Sequence, residues 1–280
     1  MTPTIIDYVK LCPLNPDFIE GQYAANQLFS ENKTFPYRLS IVVPAYNEEA
    51  RIGASIDHIA EYISGLGYRT ELIVVDDGSS DSTKEIVMGK KKTMPSNCML
   101  HLISYIPNQG KGAAVKTGCL TALGKYVLFS DADLATPIEE WPRLERSLIE
   151  GVDVSIGTRV WPTGEDKRTS QPLFRRVFGK VYHLLVLLFV VREFPDTQCG
   201  FKAMTNETAQ RLFSLQSLKG IVFDTELLYL TKKLNLKVAQ IPVEWSNIGG
   251  SRMRVTINQA VSVLADLVSI PGLHRKDINK

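Results

Sequence analysis

At 280 residues, with 44% hydrophobic and 22% charged content, the chain has an ordinary globular composition and is long enough to bury a sizeable core in one large domain. Its 32 basic and 30 acidic residues leave a net charge of +2, which excludes a global basic field for nucleic acid or an anionic membrane. Cys12, Cys98, Cys119 and Cys199 have neither CxxC spacing nor the density of a disulfide scaffold, so they read as reduced and mostly buried.

Residues 1–37 read as an irregular or partly helical extension. Asp7, Asp17 and Glu20 interrupt its short apolar pieces, so no secretory signal is predicted and a cytosolic origin is expected. From Leu39 onward β-branched runs alternate with amphipathic segments. Ser40 to Val43 predicts a strand stopping at Pro44, and Ile52, Ile56, Ile59, Ala60 and Ile63 recur at helical spacing. Strands follow at Leu72 to Val75, Met99 to Ser104, Tyr126 to Ser130 and Val154 to Gly157, with a helix from Ala113 to Ala122. Such alternation predicts an α/β fold whose mostly parallel sheet is flanked by helices.

The second half is less regular. A helical stretch is expected at Leu173 to Val191, a short segment near Gly200 to Met204, and a helix from Asp224 to Leu234. Near the C-terminus Ile257, Ala260, Val261, Leu264, Leu267 and Val268 trace a helical face expected to pack against the sheet. The longest apolar run, Val181 to Val191, has about 11 residues, against roughly 20 for a membrane span. Arg175, Arg176 and Lys180 precede that run and Arg192 follows it, a layout suited either to a phospholipid surface or to a core helix with charged ends.

Ligands of open α/β sheets gather beyond the carboxyl ends of the strands. Four polar clusters stand there: Pro44 to Glu49, Asp76 to Asp81, Asn108 to Gly112, and Asp131-Ala132-Asp133. Carboxylates at i and i+2 can converge on one hard cation, Mg²⁺ or Mn²⁺, which would neutralise a departing nucleoside diphosphate. Taken alone, so short and common a pattern as Asp-x-Asp far more often marks a solvated acidic turn. Asn-Gln-Gly-Lys-Gly precedes a helix, so backbone N–H groups and the Lys111 ammonium are candidates to face a phosphate. It is not a Walker A loop, and no GxGxxG follows the first strand.

In this order the clusters VVPAYNEE (Val42 to Glu49), VVDDGSSDST (Val74 to Thr83), NQGKG and DAD resemble the family 2 glycosyltransferases. GTR at Gly157 to Arg159, DTQCGFK at Asp196 to Lys202, FDTELLY at Phe223 to Tyr229, Trp245 and GGSRM at Gly249 to Met253 narrow the likeness. They point to the polyprenyl-phosphate glycosyltransferases, the dolichyl-phosphate β-glucosyltransferases above all.

The resemblance implies a single GT-A domain over 38–280, with a donor half at 38–160 and an acceptor half at 161–280. It implies inverting, metal-dependent transfer of a hexose. Pro44, Tyr46, Glu48 and Asp76 would hold the nucleoside, Lys111 would lie near the diphosphate, and Asp131, Ala132 and Asp133 would line the nucleotide, the two aspartates also binding metal. Arg159, Arg175 and Arg252 would surround an acceptor phosphate, which guanidinium groups grip bidentately. Ala135 stands where mannosyl relatives tend to carry Gln, which favours UDP-glucose over GDP-mannose.

A phosphate acceptor is already anionic, whereas an alcohol would want a carboxylate base, for which Asp196, Asp224 and Glu226 are the candidates. Acidic residues at a helix start also stabilise its dipole, a structural alternative for Asp224 and Glu226. Eukaryotic glucosyl relatives usually begin with a membrane anchor, and none is read here. A soluble phosphate or hydroxyl acceptor therefore stands beside the lipid, with the protein cytoplasmic or peripheral on the cytosolic membrane face. A non-catalytic nucleotide-sugar-binding protein is a third reading, against which Asp131, Asp133 and Lys111 all stand.

Overall fold

The computed structural model describes residues 34–160, 194–246 and 257–275. Among the described residues seven strands form one sheet: β1 (Tyr37–Ala45), β2 (Thr70–Asp76), β3 (Cys98–Ser104), β4 (Gly124–Ser130), β5 (Val154–Thr158), β6 (Phe201–Thr205) and β7 (Val238–Pro242). Their order is β3-β2-β1-β4-β6-β5-β7. β3, β2, β1 and β4 are mutually parallel, β6 runs antiparallel to both β4 and β5, and β7 pairs parallel with β5. Strands from both halves of the sequence thus share one sheet, and its parallel character is as expected.

The central strands are apolar on both faces, as strands covered by helices on each side must be. Val42, Ile73, Val75, Val127 and Phe129 meet α3 (Lys111–Thr121), α5 (Asn206–Leu215) and α6 (Phe223–Lys233) in one buried cluster. Leu39, Ile41, Val43, Leu72, Val74 and Leu128 point the other way. They pack with Ile52, Ile56, Ile59 and Ile63 of α1 (Ile52–Ser64), Val87 of α2 (Thr83–Lys90), and Trp141, Leu144 and Leu148 of α4 (Trp141–Ile149).

α3 lies flat on β1 because Gly118 has no side chain: a β-carbon there would come inside 3.0 Å of Val42 Cγ1. Gly118→Ala should therefore overpack the centre of the sheet and lower stability by about 1–3 kcal/mol, read as a fall in thermal midpoint. An unchanged midpoint would mean that the helix can lift without loss.

Three elements depart from the sequence reading. β1 continues through Pro44 to Ala45, with Pro44 opposite Val75 of β2, while the ladder to β4 ends at Val42. The segment near Gly200 is an antiparallel strand threaded between β4 and β5. The C-terminal helix, α7 (Ile257–Leu273), packs on α6 and buries Leu267 and Ile270, leaving Val261 61% and Val268 53% exposed. The buried face is rotated from the expected one because a helix, rather than the flat sheet, receives it.

No helix among the described residues is long and apolar enough to cross a membrane. Cys119 and Cys199 are buried and Cys98 half-buried, all three free. Cys12, the extension up to residue 33, the Val181 to Val191 run, Arg175 and Arg252 lie outside the described residues.

Candidate active site

The chain leaves β1 toward β2 and β3 on one side and returns to β4 on the other. A crevice therefore forms where the loops after β1, β2 and β4 part, the usual ligand position in such sheets. The loops after β1 and β2 are latched together. Asn47, in the left-handed region at φ 54, donates its N–H to Ser79 Oγ at 2.8 Å and accepts the Ser80 N–H at 2.7 Å. The Glu48 N–H donates to Thr83 Oγ1 at 2.7 Å. Between them Tyr46 is left 46% exposed, beside half-buried Pro44.

Glu48 is gripped by Arg51 through Nε and, at 2.9 Å, Nη2, and Arg51 Nη1 also lies 3.9 Å from Asp133 Oδ2. Arg51, unnoticed in the sequence, links the first cluster to the last. Asp76 is buried at the end of β2, where it accepts the Ser79 N–H at 3.0 Å and the Ser104 hydroxyl at 2.8 Å. Its neighbour Asp77, read in the sequence only as a member of the same cluster, holds the next loop. Asp77 accepts the N–H of Gln109 at 2.7 Å, the N–H of Gly110 at 2.8 Å and the Asn108 amide at 2.8 Å. Burial pushes its pKa up more than those bonds pull it down.

Three backbone N–H groups in and after the loop are already taken. Gln109 and Gly110 donate to Asp77, and the Ala113 N–H to the Lys219 carbonyl at 3.2 Å. What the loop brings to the crevice is the Lys111 ammonium, 2.6 Å from Asp131 Oδ1. No backbone N–H or hydroxyl reaches that buried oxygen. Asp133 accepts the Ala135 N–H at 3.1 Å, and Leu134 between them adopts φ 50. Burial, then the charge of Asp131, raises the Asp133 pKa. Ala132 is buried, its carbonyl taking the Ser55 hydroxyl at 2.6 Å. Gly200 backs the turn, since a β-carbon there would fall within 3.0 Å of Asp131 Cγ and both its oxygens.

On the far side of β4, Arg159 and Asp196 form a bidentate pair, with Nε and Nη2 each 2.7 Å from a carboxylate oxygen. The Trp245 ring lies 5.4 Å from the Arg159 guanidinium carbon, and the Ser246 N–H bonds the Ala135 carbonyl at 2.9 Å, which brings this region beside the aspartate turn. Asp224 and Glu226 sit in the first turn of α6, as expected, but both are buried and engaged. Asp224 pairs with Lys202 at 2.5 Å. Glu226 accepts the N–H groups of Ser217 and Leu218 and meets His274 at 2.7 Å, so it ties the strap at 216–219 to the end of α7. That strap braces α3 through Gln216, whose amide donates to the Gly112 carbonyl at 3.0 Å.

The Glycosyl transferase family 2 model matches residues 40–213, a span that carries all four clusters. The chain belongs to the family 2 glycosyltransferases. It is 36% identical to a dolichyl-phosphate beta-glucosyltransferase of Trichomonas vaginalis, over 95% of this chain and 82% of that one. The Dictyostelium discoideum dolichyl-phosphate beta-glucosyltransferase is also 36% identical, over 83% and 73%, and the human one 33%, over 77% and 69%. Among solved structures, glucosyl-3-phosphoglycerate synthase from Mycobacterium tuberculosis in complex with UDP aligns with a TM-score of 0.57 at 22% identity, covering 94% of this chain and 87% of that one. The same synthase with Mn²⁺, UDP-glucose and phosphoglyceric acid gives 0.56 at 23%, over 94% and 86%. These likenesses establish the GT-A fold for this glycosyltransferase.

Proposed function

We propose that this glycosyltransferase moves glucose from UDP-glucose to dolichyl phosphate or a related polyprenyl phosphate, with inversion, assisted by Mg²⁺ or Mn²⁺ held at Asp131 and Asp133. The identity of 36% to a dolichyl-phosphate beta-glucosyltransferase across 95% of the chain carries the reading. The site chemistry fits it. Asp131 Oδ1 is a buried oxygen met by the Lys111 ammonium at 2.6 Å rather than by a backbone or hydroxyl donor, and Asp133 stands two residues on. Two carboxylates completed by substrate phosphates and water is the ordinary way a nucleotide site holds Mg²⁺. When bound, the cation supplies Lewis-acid neutralisation of the diphosphate.

The chain's own groups do the rest. Tyr46, Pro44, Glu48 and Asp76 border the space for the nucleoside, and the Lys111 ammonium balances the negative charge that grows on the departing UDP. An acceptor phosphate oxygen attacks the anomeric carbon as the bond to UDP breaks on the opposite face. That oxygen is already anionic, so positioning suffices and no general base is needed. Asp196, Asp224 and Glu226, each committed to a cationic side chain or to backbone N–H groups, accord with this. Arg175 and Arg252, together with the edge of Arg159 turned away from Asp196, would receive the acceptor phosphate. The lipid acceptor puts the reaction at a membrane surface, where the exposed Val261 and Val268 of α7 offer apolar contact.

Purified protein given UDP-glucose, Mn²⁺ and dolichyl phosphate in detergent should release UDP and form glucosylated lipid, with loss on chelation and recovery on adding Mn²⁺ back. UDP release at one and the same rate with and without the lipid would refute the lipid acceptor while leaving the donor chemistry in place.

A further inference from the structure

Lys111 stands between two glycines, and both glycines face one segment. A β-carbon on Gly110, which adopts φ 105, would lie 2.6 Å from the Lys219 carbonyl oxygen, and one on Gly112 would lie 2.8 Å from that of Leu218. The strap at 216–219 thus packs backbone to backbone on each side of the lysine, with no side chain between. The Gln216 amide donates to the Gly112 carbonyl at 3.0 Å, the Ala113 N–H to the Lys219 carbonyl at 3.2 Å, and Lys116 Nζ to the Gln216 carbonyl at 2.7 Å. A turn packed this closely follows the strap wherever it lies.

The strap belongs to no helix or strand, so its own N–H groups need acceptors from elsewhere. Glu226 supplies two: Oε1 takes the Ser217 N–H at 2.8 Å and Oε2 the Leu218 N–H at 2.9 Å. Glu226 is fully buried, and its Oε1 also lies 2.7 Å from Nε2 of His274, which is buried at the end of α7. Anchoring α7 would take only the pair of Glu226 with His274. The two main-chain bonds carry that pair on to the donor loop.

We infer that Glu226 and His274 are positioning residues for the donor: the imidazole seats the carboxylate, the carboxylate seats the strap, and the strap holds the Gly110-Lys111-Gly112 turn so that the lysine faces the diphosphate. The inference rests on the UDP-glucose reading above. It concerns the diphosphate end of the donor alone, since Pro44, Tyr46 and Asp76, which border the nucleoside, stand at the ends of β1 and β2.

Calorimetric or fluorescence titration of UDP and of uridine, with Mn²⁺ present throughout, into wild type, Glu226→Gln, His274→Leu and His274→Gln tests it. A carboxamide has one oxygen for two strap N–H groups and turns its NH₂ on the other, so Glu226→Gln should bind UDP about tenfold or more weakly, with uridine unchanged. His274→Leu fills the space without an N–H and should lose about fivefold or more for UDP, whereas His274→Gln, able to donate to Glu226, should stay within about twofold of wild type. A pair that only holds the fold together would leave UDP affinity alone or weaken both ligands alike. Unchanged UDP affinity in Glu226→Gln or in His274→Leu, parallel loss of both ligands, or His274→Gln as weak as His274→Leu overturns the inference. Should Glu226→Gln fail to fold, the two His274 variants decide: selective loss of UDP in His274→Leu with wild-type binding in His274→Gln sustains the inference, and any other pattern overturns it. Wild-type protein that does not bind UDP overturns the functional reading itself, and this inference with it.

Discussion

Gly200→Ala is expected to slow glucosyl transfer by about a hundredfold or more while the protein stays folded, because misplacing a reacting constellation by roughly an ångström costs that much. The added methyl would lie within 3.0 Å of Asp131 Cγ and both its oxygens, nearer than real β-carbons approach any atom. Either the carboxylate or the 199–200 backbone has to move. The carboxylate is held by the Lys111 ammonium at 2.6 Å, itself the tip of a flexible side chain, and can swing with it. The backbone is confined by Cys199, buried against Gly157, whose own β-carbon position is 3.1 Å from the Cys199 sulfur. Asp131 is thus the group that shifts, and with it the metal and nucleotide contacts proposed for it. The expected signature is a large fall in kcat/KM for UDP-glucose with little change in thermal midpoint. Full activity would show that the donor site does not depend on where Gly200 holds Asp131.

That dependence was invisible in the sequence, and the reason is physical. Asp131, Asp133 and Lys111 were legible because two carboxylates two residues apart, or a lysine opening a helix after a glycine, have a local chemical meaning. Gly200, Asp77, Arg51 and Lys202 take their meaning from partners distant in the chain. Asp77 meets the Gln109 N–H and Lys202 meets Asp224, contacts that only the sheet topology creates. The fold divides in the same way. β1, β2 and β4 announced themselves as apolar runs because helices bury both their faces, whereas β3, broken by His101, and β5, broken by Ser155, carried a weaker signal. In β6 the charge of Lys202 breaks the run at a site where only its carboxylate partner permits burial, and in β7 the side chains are only half-buried, so neither strand showed a clear period. The C-terminal helix was legible as a helix, but its buried face follows from α6, which the local pattern of Val261, Leu264 and Val268 does not record.

Asp77→Ala should harm both stability and donor binding, in contrast to Gly200→Ala. Two backbone N–H groups and the Asn108 amide lose their acceptor at once. An abandoned buried donor costs about 1–3 kcal/mol, and partial solvent access to this loop puts the total for the variant at about 2 kcal/mol rather than the full sum. Asp77→Asn is no rescue, since a carboxamide has one oxygen for donors that occupy both carboxylate oxygens, and its NH₂ would confront a backbone N–H. With the loop released, Lys111 at its end loses the geometry that presents it to Asp131, and UDP affinity should fall by about tenfold or more. Urea unfolding alongside UDP titration reads both effects. Either variant binding UDP as wild type does at unchanged stability would mean that the loop keeps its shape without Asp77. The Lys111 placement would then have to come from the strap at 216–219 that braces α3 from the other side.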